Sequence, residues 1–323
     1  MAFDNVVGHD RVRALLARSI GGGRLPPALL LTGPEGVGKR TLALAAARAL
    51  VCEAAGGEPC EQCSACRRAA RGLHPDVLLI EPETAAIKIE QVRDMAREVL
   101  ALPFEGRSRA FVLDEAHVMT EQASNALLKS LEEPPATSHV FLVTASPQAL
   151  LPTIRSRCQT LRLGPLPPAL LESYLRDRAG LSAEESRLRA ALSGGSIGSA
   201  LALDSDAYRS SRNDLLLFLE RAGTAGAVER MEAAQRFADL DNPALALTTL
   251  RSLLRDAALL RSGAGAGSLL NADVEPRLAA LARGPLGARA AELAEAAGET
   301  REALRQNANR LLSMDVLLDS LAG

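Results

Sequence analysis

Tryptophan is absent from this 323-residue chain, and aromatic residues make up only 2% of it. Few rings are therefore available for bases to stack on, and contact with DNA is expected only in company with other chains. Neither sign of charge dominates, the formal net charge being −2. Such a balance gives no general attraction to nucleic acid or to an anionic membrane surface. No apolar run approaches membrane-spanning length and no charged-then-apolar leader opens the chain, so a soluble, cytoplasmic protein is expected. Hydrophobic residues nonetheless reach 47%, and the length is enough for two or three domains with separate cores.

What is present centres on Ala28 to Thr41, ALLLTGPEGVGKRT. An apolar run leads into Gly33-Pro-Glu-Gly36-Val-Gly38-Lys39, the G-x-x-x-x-G-K core of a phosphate-binding loop between a strand and a helix. Glycines lack the Cβ that would stop backbone N–H groups from curling round an anion, and Lys39 adds a point charge for the β/γ-phosphates of ATP. The next residue of the motif should be Ser or Thr, to ligate Mg²⁺, but here it is Arg40. Arginine carries only donors and cannot ligate a cation. Thr41 comes one residue late, a rotation of roughly 100° round a helix, so its hydroxyl is expected to point elsewhere.

Cys52, Cys60, Cys63 and Cys66 form C-x7-C-x2-C-x2-C. In a cytosolic chain this spacing points to four thiolates round tetrahedral Zn²⁺, with a redox pair or incidental thiols as the alternatives. Four cysteines fill a tetrahedral shell, so the zinc is expected to be structural rather than catalytic.

Further along, Ala110 to Leu113 reads as a buried strand ending in Asp114-Glu115, the form of a Walker B element. There Asp114 would hold Mg²⁺ through water and Glu115 would polarise the attacking water, unless the pair merely caps the strand. Strands are also expected at Val77–Ile80, Val140–Val143 and Thr160–Leu163, the second ending at Thr144-Ala-Ser146, where a hydroxyl could sense a γ-phosphate. Alternation with helices, the first with Asp10 as N-cap, predicts an α/β domain over residues 1–164, its sheet mostly parallel. Pro167-Pro168, a Ser182/Glu185 capping pattern and Gly194-Gly195 mark three short helices of a lid over 165–208. An all-α region rich in Ala, Leu and Arg follows over 209–323, with a Gly/Ala/Ser stretch at Ser262–Ser268 expected to be a mobile connection. It shows no chemistry and reads as a packing or oligomerisation domain.

Together, the phosphate loop with its cysteine insertion, His74-Pro-Asp76, Asp114-Glu-Ala-His117, Asn125-Ala-Leu-Leu-Lys-Ser-Leu-Glu-Glu-Pro-Pro135 and Ser156-Arg-Cys158 resemble the bacterial clamp-loader subunits of the AAA+ class. Within that class the likeness is nearer the delta-prime type than the gamma/tau motor. Arg40 replaces the metal-ligating hydroxyl, and Gly198 stands where the motors place a nucleotide-sensing lid arginine. The resemblance implies that Arg157 reaches across an interface as an arginine finger to the γ-phosphate of a neighbouring motor. It further implies a hetero-pentameric ring with gamma/tau motors and a delta subunit, which opens a sliding clamp and places it on primed DNA. The helical tail would form the collar. The subunit would belong to a DNA-directed DNA polymerase III holoenzyme while its own ATPase site is degenerate, leaving open whether ATP binds there.

Three other readings compete. A hydrolysing gamma/tau-type motor is opposed by Arg40 and Gly198. A DEAH-type helicase needs a second motor domain, which the helical tail does not offer. A small P-loop kinase has no use for the cysteine cluster or the Ser-Arg-Cys element.

Overall fold

In a computed structural model the described residues are 3, 6–222, 226–240, 242–305 and 308–322. The first part alternates strand and helix: α1 (Asp10–Gly21), β1 (Ala28–Thr32), α2 (Lys39–Val51), α3 (Ser64–Ala70), β2 (Val77–Ile80), α4 (Ile89–Val99), β3 (Arg109–Leu113), α5 (Glu121–Glu132), β4 (Ser138–Thr144), α6 (Pro152–Arg157) and β5 (Gln159–Arg162). Helices follow: α7 (Pro168–Asp177), α8 (Ala183–Leu192), α9 (Ile197–Ala202), α10 (Ser205–Ala222), α11 (Ala227–Ala238), α12 (Pro243–Arg261), α13 (Glu275–Arg283), α14 (Pro285–Arg305) and α15 (Arg310–Ala322). The expected α/β-then-α succession is what the chain adopts. None of the described helices is long and apolar enough to cross a membrane.

All five strands run parallel in one sheet, ordered β2-β3-β4-β1-β5. The three central strands are buried along their whole length, as unbroken apolar runs covered on both faces require. Alternate residues serve opposite cores. Leu29, Leu31, Val112, Phe141 and Val143 join one with α1 and α2. Leu30, Phe111, Leu113, Val140 and Leu142 join the other with α4 and α5. Edge strand β5 keeps only Leu161 buried.

Helix ends follow local chemistry. Thr120 caps α5 by accepting from the Ala123 N–H at 3.2 Å, and Ser182 likewise accepts from Glu185 N–H at 3.2 Å ahead of α8. The expected N-cap Asp10 is corrected: His9, in the left-handed region at φ 56°, precedes the helix, and Asp10 is its first residue. There its carboxylate still favours the positive helix end and pairs with Arg13 at 3.1 Å.

Packing divides the chain into two compact units, residues 1–181 with 193–201, and 182–192 with 202–323. The residues expected to form one lid, 165–208, are therefore shared between them. Within the second unit α12 is central, burying Leu247, Leu250, Leu253 and Leu254 in a core with Leu293, Leu317 and Leu318. Within that same unit, the stretch Ser262–Ser268 contains a 3₁₀ turn at Ala266–Ser268, and the Gly267 carbonyl accepts from Arg187. Beyond it, the fully buried Asp256 carboxylate accepts from the N–H groups of Leu270 and Asn271 at 3.0 and 2.8 Å.

Candidate functional site: a phosphate loop, a cysteine cluster and an exposed arginine

At the carboxyl end of β1 the chain turns through Gly33, Gly36 and Gly38, all at positive φ (143°, 67° and 103°). A Cβ on Gly33 would lie 2.0 Å from the Leu163 carbonyl oxygen, so only glycine lets the loop pass that close to the chain leaving β5. No side chain caps α2 at Gly38, which leaves the helix start suited to an anion. Lys39 is buried and folds back, its Nζ donating to the carbonyls of Gly33 at 2.9 Å and Pro34 at 2.6 Å.

The start of α9 sits directly on this loop. Gly198 N–H donates to the Gly36 carbonyl at 3.0 Å, and a Cβ built on Gly36 would meet Ser196 Oγ at 2.5 Å and Gly198 Cα at 3.0 Å. At Gly198 this chain brings backbone against backbone. An arginine side chain there would begin with a Cβ 3.0 Å from Gly36 Cα, tighter than ordinary packing permits.

Asp114 leaves β3 still paired to β2, its N–H donating to Ile80 O at 3.0 Å, and its Oδ1 accepts from the Glu115 N–H at 3.0 Å. Glu115 is exposed and held in the left-handed region (φ 49°), a conformation that is uncommon for a non-glycine residue. Arg40 reaches toward this end of the sheet. Its guanidinium lies 2.6 Å from Glu81 Oε1 and 3.5 Å from Asp114 Oδ2. Thr41 is exposed, as is Arg40 before it. Ser146 follows β4, and its N–H donates to Thr144 Oγ1 at 3.0 Å. The strand ends thus bring together Gly33, Gly36, Gly38, Lys39, Arg40 and Asp114. Glu81 joins them without having been singled out in the sequence, although it follows β2 just as Asp114 follows β3. These residues do not fit a divalent cation: the hydroxyl ligand is missing, and Asp114 is already paired with a guanidinium.

Arg157 closes the short helix α6 and is exposed. It donates to Glu132 Oε1 at 2.8 Å and to the Thr153 carbonyl at 3.1 Å. The Ser-Arg-Cys element is thereby joined to the Glu-Glu-Pro-Pro end of α5. Neighbouring Cys158 has its thiol pushed up to about 11 by burial, which removes it as a nucleophile.

Cys52, Cys60, Cys63 and Cys66 bring their sulfurs within 4.8 Å of one another, and none is in a disulfide. Zn–S bonds of about 2.3 Å in a tetrahedron put sulfurs about 3.8 Å apart, so the cluster fits the ion. Backbone N–H groups point at the sulfurs: Cys60 at Cys52 (3.4 Å), Cys63 at Cys60 (3.4 Å) and Cys66 at Cys63 (3.3 Å). The turn Cys60–Cys63 makes room for this through Glu61 at φ 60°. Backbone N–H groups of Gln62 and Cys63 hold the Cys60 thiol down at about 6, whereas burial pushes Cys66 up. Helix α3, which carries Cys66, was not evident from the sequence, its seven residues being too few for a periodic signal.

A phosphate loop after β1, a carboxylate pair after β3, this strand order and a helix start resting on the loop define a P-loop domain of the AAA+ class. A family model described as DNA polymerase III, delta subunit, matches residues 8–167. The delta-prime subunit of DNA polymerase III from Escherichia coli is 32% identical over 270 residues, covering 83% of this chain and 79% of that protein. The chain belongs to the DNA polymerase III delta-prime subunit family. The Bacillus subtilis delta-prime subunit is 41% identical over 167 residues, and the tau subunit of Salmonella typhimurium 38% over 162, each match covering about half of this chain. Those matches span 51% and 25% of the relatives' own lengths.

Proposed function

We propose that this chain is a non-hydrolysing clamp-loader subunit, acting beside gamma/tau motors and a delta subunit in a five-membered ring that places a sliding clamp on primed DNA. The observation that carries this reading is the contrast between its two arginines. Arg40 occupies the carboxylate its own loop would use for Mg²⁺, while Arg157 stands exposed at a helix end with a partner it can give up. An exposed ion pair such as Arg157–Glu132 contributes roughly 0.2–1 kcal/mol, so exchanging Glu132 for a neighbour's γ-phosphate costs little. In that exchange Arg157 supplies fixed positive charge as negative charge spreads over the transferring phosphoryl oxygens. Ser146 and Glu115, at the strand ends, keep the form of a nucleotide site without the metal that would complete it. Polymerisation itself belongs to another chain of the holoenzyme.

Zinc, held by Cys52, Cys60, Cys63 and Cys66, has a structural role in this reading. Four thiolates leave no position for substrate, and the metal would fix the turn between α2 and α3.

The similarity to a tau subunit supports a second reading, a hydrolysing motor. Turnover by a reconstituted clamp loader, stimulated by clamp and primed DNA, separates the two. Arg157→Ala is expected to lower ATP turnover by 10-fold or more, an arginine finger being worth about 10³–10⁵ at the single site it serves. Lys39→Ala is expected to leave it within about twofold of the unmodified complex. Equal losses from both substitutions would move the chain to the motor class.

A further inference from the structure

In a phosphate loop that works with magnesium, the residue after the lysine and the carboxylate at the end of a neighbouring strand share the ion. Here the residue after Lys39 reaches that carboxylate itself. Arg40 NH1 lies 3.5 Å from Asp114 Oδ2 and 2.6 Å from Glu81 Oε1, and these two carboxylates close adjacent, hydrogen-bonded strands. Asp114 is the least exposed of the three side chains, at 15% against 45% for Arg40 and 46% for Glu81, so it is the carboxylate least able to exchange its partner for water. A divalent cation approaching Asp114 would meet a fixed positive charge, and would have to displace it from two acceptors. The anion-binding parts of the loop are independent of this: the positive-φ glycines, the uncapped start of α2 and Lys39 all remain.

We infer that Arg40 takes the place of the divalent cation, making this loop a metal-independent site for the polyphosphate of a nucleotide. The inference rests on reading Gly33–Lys39 as a phosphate loop. A bound polyphosphate displaces the Gly33 and Pro34 carbonyls from Lys39 and finds its counter-charge in Lys39, Arg40 and the start of α2, without a metal. Glu81 is then a positioning residue, holding the guanidinium beside Asp114.

The test is titration of the full-length chain with fluorescent ADP, with and without added Mg²⁺. Chelator is avoided because it would also strip a cysteine-bound metal. The unmodified chain is expected to bind with the same affinity in both buffers, within about twofold, whereas Arg40→Thr, which restores a hydroxyl, is expected to bind about tenfold more tightly with Mg²⁺. Arg40→Ala serves as a second variant, and unfolding midpoints equal to that of the parent establish that both variants fold. A tenfold gain from Mg²⁺ in the unmodified chain overturns the inference while leaving the phosphate loop in place. So does metal-indifferent binding by Arg40→Thr and Arg40→Ala alike. Absence of ADP binding by every chain in both buffers overturns the phosphate-loop reading itself, and the inference with it.

Discussion

Asp76 has no exposed surface, yet it is charged and serves three backbone donors at once. Its carboxylate accepts from the N–H groups of Phe104 at 2.7 Å, Glu105 at 3.0 Å and Gly106 at 2.8 Å, and lies 3.3 Å from Arg109 Nε. His74, two residues earlier, is held neutral by burial, and its Nδ1 accepts from the Asp76 N–H at 3.1 Å. The His-Pro-Asp motif is therefore a clasp for the 104–106 turn, which leaves Phe104 82% exposed at the surface. Burial by itself would raise the Asp76 carboxyl, but the three N–H donors and Arg109 outweigh it and hold it below the usual range. A carboxylate depressed in the folded state contributes stability fully above the unfolded value of about 3.9, and that contribution is lost as pH falls through the lower folded value. Asp76→Asn is expected to cost about 1–3 kcal/mol at neutral pH, because a neutral amide offers one acceptor oxygen to three backbone donors while Arg109 keeps Glu98 at 2.8 Å, with a smaller cost below about pH 4. Urea unfolding at several pH values measures both; a pH-independent difference would assign the effect to packing alone.

At the scale of elements, the cysteine module is short of ordinary means of support. Helix α3 has seven residues, too few to be stable alone, and only Ala65, Cys66 and Ala69 are buried on it. Two of those face the core shared with α2, which anchors one side; the turn from Cys52 to Cys63 adds a close approach of Gly57 to the Ala17 carbonyl and an Arg48–Glu61 pair at 3.3 Å to its sulfur cluster. Metal binding is then folding free energy for this turn. One zinc per chain is expected by metal analysis, and Cys63→Ser is expected to lose it and to unprotect the amides of 52–70 in hydrogen exchange. The sheet amides should keep their protection. Zinc retained with three cysteines, or unfolding of the whole sheet, would contradict the local role.

At the scale of the molecule, the two units are built on different principles. The first encloses a parallel sheet between two apolar layers, with 193–201 returning to close over the loop at Gly36. The second packs helices round α12 and carries a buried polar network. In it Tyr208 OH donates to Asn271 Oδ1 at 2.7 Å and meets Ser252 Oγ at 2.8 Å, while Asn271 Nδ2 donates to Asp256 at 2.9 Å. Each unit therefore has its own point of failure. Gly36→Ala forces a Cβ against Ser196 and Gly198 at positive φ, and is expected to cost about 1–3 kcal/mol of protection in the sheet. Asp256→Asn is expected to expose α12 and residues 269–271 instead. Native-state hydrogen exchange on both variants reads the two patterns, and the same pattern from both would refute this division.

Much of the site was legible because its chemistry is local. The glycines and lysine of the loop, four cysteines within fifteen residues, and apolar runs ending in charge each carry their meaning over a few bonds, since backbone conformation and ligand spacing act at that range. The missing hydroxyl at Arg40 was equally plain. What Arg40 does instead was not, because Glu81 lies 41 positions away and is brought near only by the crossover that sets β2 beside β3. The same holds for Glu132 and Arg157, for Asp76 under residues 104–106, and for Gly198 on Gly36. It holds too for α8, which the local pattern grouped with a lid and packing assigned to the helical unit. Sequence by itself determined the strands and the longer helices round them, the loop and the cysteine cluster. Tertiary structure alone decided which charges meet, because Coulomb and hydrogen-bond partners are chosen by distance in space, on which residue spacing beyond one turn or hairpin has no hold.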